Sequence, residues 1–536
     1  MWKKLTCYFL SISWFFSSTC CFAELYDIVV IGGGAAGAYS AWRLSEHSKE
    51  KKICLLESSN RIGGRLFSLV LPEAPDLCAE LGGMRFLPQQ ECVYGLIRYF
   101  NLTPEFFDYD STENIIYTRR VHLKPTDYKD KPEKIPYILR EDEKGKSSRE
   151  LMMMAIHRTF PTIANMTQPE IREYLKTAEY RGQPVWKIGF WNLLMSQLSI
   201  EAYNLIRDAG GYNTGTSNWN AYDAIVSFSK YNSDVKFYKL KEGFDSLPKK
   251  MADLFVKNEG RLSLNTQATL LKEIQKDGEK LIQIFYKTPQ GEGSHYARHV
   301  ILAMPKRAIQ LLDCDSFMFS HQQLVDDLKR VDPAYASKVF LWYDEEWWTK
   351  LGLFYGPSRT DLPLRQCYYF GVESNPSNGK RKGLLMASYN DGIAVDFWEG
   401  FYPHSAFDSV KETFTDKKEY IRDHITPKEM NTELTKELSE LHKIAVPTPM
   451  TTIFQNWNND PYGAGWHLWN PHNQSWVVAP RIRRPIAGVN LYICGEAYSD
   501  HQGWVEGAIQ TAEKMLEEHF SLERPSWISP DYYLGN

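Results

Sequence analysis

Cysteine is sparse and scattered in this 536-residue chain. Three of the nine (Cys7, Cys20, Cys21) fall in the first 23 residues. The other six (Cys54, Cys78, Cys92, Cys314, Cys367, Cys494) are far apart and in no metal-ligand spacing, so no metal site is expected. Cys54 and Cys494 sit in apolar strand patterns and read as core; Cys78 and Cys92 could pair in an oxidising compartment, which sequence alone does not decide. Excess positive charge is lacking too. The formal charge is −4, and removing Lys3 and Lys4 with the first 23 residues takes it to −6. That mild acidity argues against a nucleic-acid partner. Past residue 23 no apolar run approaches the length of a membrane helix. Nor does any Ser/His/Asp set or paired-carboxylate site stand out.

What the chain does have begins with an address. Lys3 and Lys4 form a positive start, Leu5 to Phe16 is apolar, and Cys21-Phe22-Ala23 offers small residues at a cleavage site. Residues 1–23 therefore read as a cleavable secretory signal, predicting a secreted or periplasmic protein. Asn101-Leu-Thr, Asn165-Met-Thr and Asn473-Gln-Ser match the glycosylation acceptor pattern. The mature length suits two or three domains with substantial cores.

The most informative stretch follows the signal. Ile28 to Ile31 is a run of β-formers, and Gly32, Gly34 and Gly37 come next in G-x-G-x-x-G spacing. A helix-forming segment through Ala38, Ala41 and Leu44 leads to a second apolar run, Ile53 to Leu56, ending on Glu57. This is a βαβ unit with a nucleotide grip at its first turn. Gly32 allows the tight turn, Gly34 lets backbone approach a pyrophosphate, and Gly37 lets helix and strand pack closely. The helix N-terminus faces the phosphates, and Glu57 can accept hydrogen bonds from ribose hydroxyls. Arg61-Ile-Gly-Gly-Arg65 then sets two cations around a Gly-Gly turn, from which Arg65 could reach the pyrophosphate bidentately.

Taken together, GGGAAG, Glu57 and R-x-G-G-R resemble the flavin-dependent amine oxidase family, which binds FAD. Glu80-Leu-Gly82-Gly83-Met84-Arg85-Phe resembles its L-amino acid oxidase branch. The resemblance implies that the Gly82-Gly83-Met84 backbone lies against the isoalloxazine and that Arg85 clamps a substrate carboxylate. Farther along, it implies that Ala268 meets the adenine through its backbone. Lys338, in Tyr335–Tyr343, would be linked through a water to flavin N5. In Gly383-Leu-Leu-Met-Ala-Ser-Tyr389, Tyr389 would donate its hydroxyl to the carboxylate, with Tyr368 as a second pocket wall. Trp457 and Tyr462-Gly-Ala-Gly465 fit a pattern bordering the flavin. Finally, the strand ending on Gly495-Glu496 leads to a helix start at Gly503-Trp504-Val505. Its positive end would face reduced flavin, Glu496 would lie near the ribityl-phosphate region, and Gly503 and Trp504 would flank the substrate amine and α-carbon.

The expected fold is α/β: a Rossmann-like FAD-binding domain with a mixed-sheet substrate domain and a helical insert. The FAD domain is expected from residues 24–70, 240–332 and 447–522, and the substrate domain from 71–136 and 333–446. Residues 137–239 read as the helical domain and 523–536 as a C-terminal tail. The resemblance implies a secreted oxidase that converts L-amino acids and O2 to 2-oxo acids, ammonia and hydrogen peroxide. An amine or polyamine oxidase, or a flavin monooxygenase of amino acids, remains the alternative, as does a binding protein without turnover. No general base is recognisable, and a homodimer is among the assemblies left open.

Overall fold

Four β-formers in succession leave the Leu25–Ile31 strand buried along most of its length, and the larger core grows around it. In the computed structural model, which describes residues 23–109, 111–230, 235–374, 376, 379–401, 420–421 and 424–536, this strand lies between two parallel neighbours. They are Ile53–Leu56 and the second half of Gly291–Leu302. Arg261–Ser263 extends the sheet beyond Ile53–Leu56, and Leu491–Ile493 joins Gly291–Leu302, both parallel. Unbroken Val, Ile and Leu runs suit a parallel sheet covered on both faces. Ala35–His47, Ser246–Lys257 and Val505–Phe520 cover one face through Trp42, Phe255 and Met515, while Ile309, Leu324 and Ile482 cover the other. The first half of Gly291–Leu302 continues into an antiparallel meander with Glu279–Thr288 and Gln267–Lys276.

Arg261–Leu271 reads as one strand in the sequence. The chain instead breaks near Asn265, at φ +51°, so its two halves serve opposite edges of the same sheet.

A second, mixed sheet runs Thr451–Asn456, Ala336–Tyr343, Gly383–Asp391, Gln366–Val372, Pro357–Thr360, Ile116–Thr118, Val121–Leu123. The alternation of Ala336–Tyr343 suggests a half-solvated strand, yet every residue is buried. Alternate side chains face two different cores, Phe340 and Trp342 on one side, Val339, Leu341 and Tyr343 on the other. Helices Ser148–Thr159, Gln168–Thr177, Phe190–Gln197, Ile200–Ala209 and Ala221–Ser229 form a third core of their own. Two of them begin with capping boxes, Ser147 with Glu150 and Thr167 with Glu170. The Rossmann-like sheet, the mixed sheet and the helical insert are thus all present.

Two finer expectations are decided by the structure, and a third falls outside the described residues. The signal read over 1–23 lies, but for Ala23, outside the described residues. Cys92 is a free, buried thiol, so no Cys78–Cys92 disulfide forms. Asn473 is buried and its carboxamide is occupied by Arg330 and the Asn470 and Pro471 carbonyls, which closes that glycosylation triplet. Asn101 and Asn165 are exposed.

Candidate functional site

At the carboxyl ends of the parallel strands, where Ile31, Leu56 and Ala303 stand, lies a cavity of about 600 Å³. This is where open α/β sheets bind ligands. Two helix starts border it: Gly34, Ala35 and Ala36 at Ala35–His47, and Trp504, Val505 and Ala508 at Val505–Phe520. Neither N-cap residue supplies a side-chain cap, so backbone N–H groups and positive dipole ends remain for an anionic ligand.

Glycines make the room. Gly32 takes φ +108°, and a Cβ there would stand 2.5 Å from the Ala303 carbonyl oxygen. At Gly37 a Cβ would lie 1.8 Å from the Gly32 oxygen, so only glycine lets helix and strand approach this closely. Gly34 bridges to Gly63, which brings the two glycine motifs side by side.

The polar wall is largely satisfied from within. Glu57 accepts the Gly33 N–H at 2.6 Å on one oxygen, and the Ser59 N–H and hydroxyl at 2.8 and 2.7 Å on the other. Thus oriented, it retains spare lone pairs toward the cavity. Arg65 donates to the Gly465 carbonyl at 2.8 Å and pairs with Glu496 at 3.1 Å. Glu496 also accepts the backbone N–H groups of His467 (2.9 Å) and Gly503 (2.8 Å) and contacts the His467 ring at 3.1 Å. Burial pushes the Glu496 carboxyl up, but the Arg65 charge, His467 and these donors together hold it down at about 2. With its N–H turned to Glu496, the Gly503 backbone offers only its carbonyl to further partners. Ala268 lines the cavity at a bulge between the Ala268 and Leu270 pairings.

Gly83 belongs to the cavity wall, whereas Gly82 and Met84 lie just behind it. A Cβ at Gly82 would stand 1.9 Å from the Arg65 carbonyl oxygen. Trp457 also stands behind the wall, its indole N–H donating to the Leu81 carbonyl at 2.8 Å.

Past this turn the site becomes a box of rings around one cation. The Arg85 guanidinium packs against the adjoining rings of Tyr109 and Phe237, 4.5 and 4.4 Å from their centroids. Nη2 donates to the Tyr212 hydroxyl at 3.4 Å, while Nη1 is buried with no hydrogen-bond partner in the protein. Burial works against the cation, yet the surrounding phenols, Tyr212 first, raise its pKa above the ordinary arginine value. Tyr389 meets Tyr212 edge-on at 5.4 Å and lies 6.4 Å from Tyr368. Trp466 (6.4 Å from Tyr212) and Trp504 (stacked 6.3 Å from Phe237) connect this box to the cavity.

Lys338, paired across strands with Tyr389, puts Nζ 4.8 Å from that ring's centroid. Nζ donates to the carbonyls of Glu80 at 3.0 Å and Gly82 at 2.5 Å. Burial lowers its pKa to about 7.

The sequence-derived residues therefore fall into two connected groups. Gly32, Gly34, Glu57, Arg65, Gly83, Ala268, Glu496, Gly503, Trp504 and Val505 line the cavity, with Gly37 packed behind the grip. Arg85, Tyr368, Tyr389 and Lys338 gather next to it. Sequence reasoning missed Tyr109, Tyr212, Phe237, Trp466 and His467 as site residues. The local cues were Tyr212's place in the 210–215 turn that interrupts the helical pattern and Trp466's place directly after Tyr462-Gly-Ala-Gly465.

The chain is similar to known proteins along most of its length. The family described as flavin containing amine oxidoreductase matches residues 35–515. Aplysianin-A of Aplysia kurodai is 25% identical, with 93% of this chain and 91% of that protein aligned. Achacin of Lissachatina fulica is 25% identical over 92% and 93%. L-amino-acid oxidase of Bungarus fasciatus is 22% identical over 90% and 84%. Among solved structures, wild-type putrescine oxidase bound to putrescine superposes with a TM-score of 0.64 at 14% identity, covering 93% of this chain and all of that one, a likeness of fold.

Proposed function

Since this chain belongs to the flavin-containing amine oxidoreductase family, whose cofactor FAD suits the glycine-walled cavity with its two uncapped helix starts, we propose that it is a secreted L-amino acid oxidase. Bound there, FAD would supply an acceptor for the hydride from a substrate's Cα, with O2 as the final electron acceptor and water hydrolysing the imino acid. The products would be a 2-oxo acid, ammonia and hydrogen peroxide.

One observation carries the choice of substrate. Arg85 is a half-buried cation packed against two rings, and its buried Nη1 has no partner in the protein. A buried guanidinium with an open donor calls for an anionic acceptor, and a carboxylate matches its geometry. A plain amine would leave that donor unsatisfied. Tyr389 would add its hydroxyl to the carboxylate, and Tyr368 would close the wall. Trp504 and the Gly503 carbonyl would flank the α-carbon and amine, fixing which hydrogen faces the cofactor. Lys338, anchored by two carbonyls and titrating near neutrality, would hold a water toward the flavin. Export is read from residues 1–23 and belongs to the same proposal.

The test is peroxide release from the twenty L-amino acids and from putrescine, with product analysis. L-amino acid turnover is expected, with a 2-oxo acid formed. Arg85→Ala should lower kcat/KM for amino acids by at least about a hundred-fold, as removal of one partner of a buried charge pair costs roughly 3 kcal/mol. Turnover of putrescine alone, unchanged by Arg85→Ala, would make the protein an amine oxidase. An amide and CO2 would make it a monooxygenase.

A further inference from the structure

The turn that follows Ile200–Ala209 carries Tyr212 into the ring box, and several hydrogen bonds hold it there. Asp391 ends the Gly383–Asp391 strand, two residues beyond Tyr389, and is fully buried. One carboxylate oxygen accepts the Asn213 N–H at 2.6 Å. The other accepts the Thr214 N–H at 2.8 Å and the Thr214 hydroxyl at 2.6 Å. The Asn213 carboxamide returns a bond to the Asp391 carbonyl at 2.8 Å. Gly211, at φ +85°, sits so tightly on Gln366 that a Cβ would lie 2.8 Å from its side chain. The residue between Gly211 and Asn213 is Tyr212. Its ring meets Tyr389 and Trp466, and its hydroxyl accepts from Arg85 Nη2.

We infer that Tyr212 is a third arm of the carboxylate clamp and that Asp391 is the positioning residue that sets it. The chemistry follows from the donor count. A phenol oxygen accepting from the guanidinium still has its own proton to donate. A carboxylate on the open Nη1 of Arg85 lies beside that phenol and can receive the proton as a charge-assisted hydrogen bond. The phenol arrives on the insert, whereas Tyr389 arrives on the sheet. Asp391 therefore ties both arms to one strand and makes their spacing independent of motion elsewhere in the insert. This inference rests on the carboxylate reading of Arg85.

The test uses the FAD-loaded full chain and benzoate as an unreactive carboxylate, followed through the visible absorbance of the bound flavin. Kinetics with the preferred L-amino acid run in parallel. Tyr212→Phe keeps the ring packing and should weaken benzoate binding and raise KM roughly ten-fold or more, with kcat changed by no more than about three-fold. Asp391→Asn should move the same quantities in the same direction in the wild-type background and add little to Tyr212→Phe, since both act through one hydroxyl. If Asp391→Asn fails to fold, Thr214→Val, which removes one bond to Asp391, takes its place with a smaller effect of the same pattern. Unchanged benzoate affinity in Tyr212→Phe overturns the role of Tyr212, as does a wild-type protein that ignores benzoate. An Asp391 or Thr214 effect that is fully additive with Tyr212→Phe overturns the positioning role. Absence of peroxide with every L-amino acid overturns the oxidase reading alone, because benzoate binding decides the clamp without turnover.

Discussion

Glu80 and Lys338 show how far burial moves single residues at the edge of the site. Glu80 accepts the Ser68 hydroxyl at 2.7 Å and the Phe244 N–H at 2.8 Å, while its own carbonyl receives Lys338. Burial lifts its carboxyl to about 8, against the pull of these donors. A folded pKa above the unfolded one gives stability that is complete below about pH 4.5 and is lost as pH rises through about 8. Lys338 has the opposite sign: its pKa falls from 10.5 to about 7, so stability is gained as pH rises across that window. Thermal melts should therefore show wild type losing stability relative to Glu80→Gln between about pH 5 and 8, and gaining relative to Lys338→Met between about 7 and 10. Parallel curves in either comparison would mean that the group does not titrate with folding. Neither residue's role is visible in its neighbours along the chain. A lysine near the start of a strand is ordinarily a surface residue, and only the Glu80–Gly82 turn and the Tyr389 ring packed over it bury this one.

The βαβ unit is the element most legible in the sequence, because each of its glycines answers a local demand. Strand, turn and helix are contiguous, so the spacing of Gly32, Gly34 and Gly37 fixes which backbone atoms meet. Gly37→Ala tests this directly. Its Cβ would need to move the Gly32 carbonyl, which is backbone and does not yield cheaply. The purified variant should carry little FAD, seen as a low ratio of flavin to protein absorbance, and should melt earlier than wild type. Full flavin loading with an unchanged melting temperature would mean that the close packing is dispensable. The Asn265 break was not legible. Apolar alternation continues through it, and only the availability of two different sheet edges splits the run.

Across the whole molecule, long-range polar contacts join helices that the chain separates by hundreds of residues. Glu506, at the start of the cofactor-facing helix, accepts the Cys92 and Val93 N–H groups at 3.0 and 2.9 Å and the Tyr532 hydroxyl at 2.7 Å. One carboxylate thus seats the starts of two helices and the tail together. Glu506→Ala would orphan three donors, costing about 3 kcal/mol or more. The expected result is a lower melting temperature and earlier release of FAD on heating, with KM for substrate nearly unchanged. A shift in KM as large as that of the clamp variants would place Glu506 in the substrate site instead.

Sequence by itself determined the βαβ grip and the α/β architecture, through contiguous motifs in which spacing along the chain equals spacing in space. FAD, Arg85, Tyr389 and Lys338 were singled out by family resemblance rather than by spacing. Tertiary structure alone decided what surrounds Arg85. Tyr109, Phe237 and Tyr212 come from three separate segments, and no periodicity links residues brought together by packing. It also decided that Arg65 and the Gly503 N–H face Glu496, that Cys92 stays a free thiol and that Asn473 is closed to sugar. Glu496 for Arg65 and Arg330 for Asn473 lie far off in the chain, where only packing brings them together.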